Sequence, residues 1–248
     1  MGRHAVAVTG FGVRLGGSPE AGRSGFLSEA GAIDRIYAHD DQVGPFSRML
    51  LDGLLVTPAV VQNNPGLFSL STNWKTDSIS MGSVRAVPDT VLIPLYHKIR
   101  IPFSRIEDAV IAFDAVLEQL RPAALRLFTT RLVWRVHLTT VNDLKAAVFA
   151  DSSLDPRLRQ SFLTKNLPRF MWKAVAYHGE KAVLELLFDA TDIEQGRLFV
   201  TAIEYDPLLS GVLRNLAHPS VLDPVLAVLE SSLGPLRSVR DILQQFRN

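Results

Sequence analysis

Two hundred and forty-eight residues suit one large domain or two modest ones, on a prior of roughly 100–200 residues per domain. The 47% hydrophobic and 21% charged fractions exclude wholesale disorder, and Lys+Arg 26 against Asp+Glu 25, a formal +1, exclude a polycation built for nucleic acid. With no cysteine there is no disulfide framework, no thiolate metal site and no Cys nucleophile.

The opening run Val6-Ala7-Val8-Thr9-Gly10-Phe11-Gly12, with Gly16-Gly17 behind it, has the strand-then-glycine look of a dinucleotide site. Ser18-Pro19 and more glycine follow in place of a helical period, so a glycine-rich strand edge is the expectation. Over about a dozen residues this run resembles the first strand of β-ketoacyl synthases. That family's Cys nucleophile is missing and the chain is too short for the enzyme, so nothing is carried over. Thr9, Gly10 and Gly12 interrupt the apolar stretch and Val6 stands where a myristoylation signal needs Ser or Thr, so neither a leader nor a lipid anchor is expected. No apolar run approaches the ~18–20 residues of a spanning helix, and a soluble, cytoplasmic protein is expected, with export left open.

Residues 14–66 are dense in Gly, Pro and Asn, from Gly16-Gly17-Ser18-Pro19 to Asn63-Asn64-Pro65-Gly66. They read as short strands and loops or as an arm laid over something else, giving an extension at 1–83 and a core domain at 84–248. Val91–Ile101 reads as a strand. Ser104-Arg105-Ile106-Glu107 reads as a capping box, and Ile106, Val110, Phe113, Leu117 and Leu120 form one helical face that Pro122 closes. In the β-rich stretch 127–141, Leu132, Trp134, Val136 and Leu138 share one face and Arg131, Val133, Arg135 and His137 the other. Strand, helix and strand over about 91–141 make a βαβ-like unit.

Asn142 is expected to cap a short helix through Phe149, with another near 155–163. Residues 169–206 read as a β-meander whose first turn is His178-Gly179, with a loop at 192–196. Ser220 and Ser238 each open a C-terminal helix. The class is therefore α+β with a mixed or antiparallel sheet.

No nucleophile elbow, Walker loop, His-Glu-x-x-His or EF-hand pattern occurs. The histidines at 4, 39, 97, 137, 178 and 218 lack the spacing that holds a metal from one element, so neither cofactor nor metal is expected. Asp189, Asp192, Glu194, Glu204 and Asp206 split between opposite ends of a hairpin, with the last two beside Lys181 and His178.

Charge is segregated along the chain. Residues 121–181 hold eleven Lys/Arg and four acids, a formal +7, whereas 182–206 hold one Arg and six acids, a formal −5. Interleaved with Trp134, Phe162, Phe170, Trp172 and Tyr177, the basic block could track a phosphate backbone. Alternatively the two blocks face each other, within the fold or between subunits. The second reading is preferred because the excesses adjoin and nearly cancel. Arg131, Arg135, His137, Arg169 and Lys173 are the candidate contact residues, for a subunit interface or an anionic partner. The leading expectation is a non-catalytic structural protein that assembles through protein–protein contacts. A nucleic-acid or polyanion binder is the alternative, and an enzyme with a scattered site the third class.

Overall fold

The computed structural model describes residues 5–13, 27–28, 33–41, 44–52, 69–72, 84–86, 90, 92–124, 130–191, 198–233 and 237–247. Contacts divide the chain into two compact units, Met1–Glu20 with Ala30–Pro94, and Ala21–Glu29 with Leu95–Asn248. The class is α+β, with two largely antiparallel sheets.

The first unit carries a five-stranded antiparallel sheet. Its strands are β1 (Ala7–Val13), β3 (Ile33–Asp40), β4 (Gly44–Asp52), β5 (Ser69–Thr72) and β6 (Val84–Ala86), lying in that order. Each pairs with the next in the chain direction opposite to its own. The residues read as an arm thus make long-range ladders, which turn-forming composition does not reveal. Its buried apolar set among the described residues is small, Ala38 and Met49 with Val6 and Ile36 against them. The antiparallel pairing of β1 with β3 is not dinucleotide-site geometry.

The second unit holds the larger core. Strands β7 (Val133–Thr140), β8 (Phe170–His178), β9 (Lys181–Asp189) and β10 (Phe199–Glu204) form an antiparallel meander, to which β2 (Leu27–Ser28) adds a two-residue parallel pairing on β7. Ile106, Val110, Phe113 and Val116 of α1 (Phe103–Ala124) are buried, and the helix covers the face that carries Trp134, Trp172, Ala174 and Leu186. Helices α4 (Pro207–Leu216), α5 (Pro219–Leu233) and α6 (Arg237–Gln244) add Leu209, Leu213, Leu226, Ile242 and Leu243 to the same cluster. On the opposite face, α2 (Val141–Ala150) and α3 (Pro156–Thr164) place Leu144, Val148 and Phe162 against Met171, Leu187 and Ile203. Period-two alternation therefore feeds two apolar layers from one sheet.

Several local expectations are corrected. Residues 92–101 form no strand: Pro94 lacks a donor and a turn at 97–98, closed by Ile99 N to Tyr96 O at 2.8 Å, breaks the run. The first strand of the βαβ-like unit is thus absent, and Arg100 and Ile101 are anchored by donating to the Ala190 carbonyl. Helix α1 starts at Phe103, with Ser104 inside the first turn, and continues past Pro122 to Ala124. The cap of α2 is Thr140, whose hydroxyl oxygen accepts from Asp143 N at 3.2 Å. The hairpin loop is Gly179-Glu180, since His178 pairs with Lys181. Gly179 has φ +61°, the positive first position a II′ turn requires. Helices α5 and α6 begin at Pro219 and Arg237, one residue before the serines expected to open them. The expected loop at 192–196 lies outside the described residues.

Candidate functional site

The five candidate contact residues do not form one patch. His137 and Lys173 are cross-strand partners on β7 and β8. Arg135, two residues before His137 on the same face, lies over the Tyr177 ring at 5.3 Å. Arg131 precedes β7, so strand alternation does not reach it. Its guanidinium donates to Asp114 Oδ2 on α1 at 3.0 Å and stands 3.6 Å from Glu118. Trp134 Nε1 donates to the other Asp114 oxygen at 2.8 Å, so Arg131 serves the helix-covered side and not the expected face. Arg169 precedes β8, exposed over the Phe170 ring at 5.4 Å.

Lys173 Nζ donates to Glu185 Oε1 at 3.1 Å, and Glu185 is 6% exposed. This joins the basic block to the acidic one inside the fold. At the surface, Lys181 forms an ion pair with Asp206 at 3.8 Å. Two further cations of the block are held by neutral acceptors, Lys165 by the Thr201 hydroxyl at 2.8 Å and Lys145 by the Lys165 carbonyl at 2.9 Å. The segregation seen along the sequence is thus partly neutralised across β8, β9 and the start of α4.

Three residues important here escaped the sequence reading as site members. Asp114 and Glu185 are lone acids inside apolar runs, Ile111-Ala112-Phe113-Asp114-Ala115-Val116 and Val183-Leu184-Glu185-Leu186-Leu187-Phe188. A charge in such a run must be paired once buried, which is the signal that could have found them. Burial pushes the Asp114 carboxyl above its ordinary range, with the Trp134 and Arg131 hydrogen bonds opposing. The third is Tyr205. Burial and the Glu185 carboxylate, to which it donates, push its phenol up, so it stays a protonated donor.

Tyr205 also lines a groove of about 1030 Å³ with Asp151, Ser153, Lys165, Lys181 and Arg214. The Ser153 hydroxyl and amide hold Asp151 below the usual carboxylate range. Three carboxylates, Asp151, Asp155 and Glu204, and three cations, Lys165, Lys181 and Arg214, line this groove, and their balance selects no ligand charge. Among the described residues no three His, Asp or Glu side chains converge as a metal would require. Asp189, expected at a loop end, accepts from the amide and hydroxyl of Thr191 at 2.7 Å each.

Exposed large apolar side chains occur in both units, Phe149, Leu208 and Val228 in the second among them. In the first, Val8, Phe11 and Phe46 are 58, 64 and 67% exposed, and Leu50 is also open. Phe46 has a φ of 60°, a conformation in which only glycine is relaxed. It falls where β4 has an extra residue against β3, between the pairs Ala38 with Ser47 and Asp40 with Gly44, and its ring meets His39 edge-on at 4.9 Å.

Comparison with protein families, with curated proteins and with solved structures finds no match for this chain.

Proposed function

We propose that this chain is a non-catalytic structural protein that works by protein–protein contact, with copies of itself as the first partner. One observation carries the reading. The first unit's sheet leaves Val8, Phe11, Phe46 and Leu50 open to solvent while burying little of its own apolar surface among the described residues. Large apolar side chains left open on one small sheet favour association, since covering them removes apolar area from water. Phe46 adds support, because an aromatic kept exposed at a strained backbone position costs stability without contributing to the core.

Of the candidate contact residues, Arg135 and Arg169 are exposed on the second unit, whereas Arg131 and Lys173 are engaged inside that unit's fold. The setting proposed is soluble and cytoplasmic. Among the described residues no helix is long and apolar enough to cross a membrane.

The test is light scattering on the full chain over a range of concentrations. A defined oligomer is expected, and a strictly monomeric chain at all concentrations would remove the reading. The polyanion alternative rests on the same two exposed arginines. It predicts oligonucleotide binding that weakens steeply with salt, because each phosphate contact releases counterions.

A further inference from the structure

A sheet edge carries a row of backbone donors and acceptors that will pair with any strand offered to it unless the protein protects it. Among the described residues there are four such edges, and three are protected. In the second unit, β10 is buried, with Thr201, Ala202 and Ile203 nearly inaccessible and α4 and α6 packed against it. The other edge there, β7, is met by β2 at Val133 and Trp134 and carries Arg135 and His137 beyond them. In the first unit, β6 is three residues long and contains Arg85.

The fourth edge is β1, and among the described residues it has none of these protections. Its seven residues, Ala-Val-Thr-Gly-Phe-Gly-Val, include no charge and no proline. Five of the seven are exposed, and among the described residues no strand lies on its outer side. Its register against β3 shifts between Val8 and Gly10 and again between Gly12 and Val13, leaving Gly10–Gly12 in regular pairing with Tyr37, Ile36 and Arg35. Gly12 lets the Arg35 side chain lie against the strand, since a Cβ there would come within 2.8 Å of Arg35 Cγ.

We infer that β1 is the self-association edge, pairing antiparallel with β1 of a second copy about a two-fold axis and joining two five-stranded sheets into one. This rests on the self-association proposed above and names its contact. The occupant is a second copy because the strand is uncharged throughout. Antiparallel self-pairing therefore sets no like charges opposite each other in any register, and a two-fold axis lets each copy offer the same edge and receive it. Val8 and Phe11, paired with Ala38 and Ile36, lie on one face of the sheet and bring apolar area to the junction.

The experiment compares the full chain with its Val8→Lys/Phe11→Lys variant by sedimentation, and measures amide exchange of wild-type β1 at low and high concentration. Both side chains are exposed, so the variant should unfold at the midpoint the wild type shows once diluted to monomer. The wild type is expected to sediment as a dimer and the variant as a monomer, because four lysines would crowd the junction. The β1 amides that face away from β3 should become protected only in the dimer. A wild-type dimer that survives the double substitution, or whose β1 amides exchange equally at both concentrations, overturns the β1 pairing and leaves self-association standing. A monomeric wild type overturns both. If the variant fails to fold, the exchange comparison on the wild type still decides.

Discussion

The carboxyl of Asp114 is 2% exposed on α1, held by Trp134 Nε1 on one oxygen and by Arg131 on the other. Burial outweighs these donors and raises its pKa in the folded chain. The unfolded chain therefore releases this proton first as pH rises from about 4. Between the ordinary and the raised pKa the folded form binds more proton, so the contribution to stability is complete below the ordinary value. It is lost as pH climbs through the raised one. Asp114→Asn abolishes that titration and still presents a carbonyl to Trp134. Urea unfolding of both proteins at about pH 4 and about pH 7 should show the variant gaining on the wild type as pH rises. Parallel pH profiles would mean the folded carboxyl titrates normally.

At the scale of elements, β7 through β10, α1 and α3 were legible because each carries several residues of consistent period. Trp134 and Phe113 illustrate this: both fall on the predicted apolar faces, both are fully buried, and their rings meet edge to face at 6.3 Å. What the sequence hid was decided by pairing. Thr140 and Asn142 are equally able to cap α2, and Thr140 does so because it is the last β7 residue in register, opposite Phe170. Helix α4 had a clear local signal, Asp206 followed by Pro207, concealed by reading Asp206 as one of an acidic group. In the candidate site, the lone acid of β9 was visible as a charge, but its partner was not, since Lys173 and Glu185 meet across neighbouring strands. Both are mostly buried, so losing one charge should leave the other poorly solvated. Lys173→Met should therefore cost roughly 3 kcal/mol, while Lys173→Met with Glu185→Gln, which keeps an acceptor for Tyr205, should recover most of the loss. Equal losses in the single and double variants would show that the pair's charges are not the reason for its place in the core.

For the whole molecule, the two units differ in how much apolar surface each can bury by itself. Among the described residues, both large clusters of the second unit draw only on residues from Ile99 onward. The described residues of the segment 21–29, Leu27 and Ser28 of β2, pair with two residues of β7. The first unit buries Ala38 and Met49 among its described residues and leaves Phe11 and Phe46 open. A fragment spanning 95–248 should therefore fold alone, with a single cooperative unfolding transition and helix content close to that of its share of the full chain. If assembly runs through β1, the same fragment should remain monomeric at concentrations where the full chain associates. These two outcomes separate the contributions of the halves. A fragment that aggregates or melts without cooperativity would mean that the early residues complete the larger core. A fragment that folds and still forms the full-length oligomer would move the interface to the second unit, where the exposed Arg135 and Arg169 become the residues to change next.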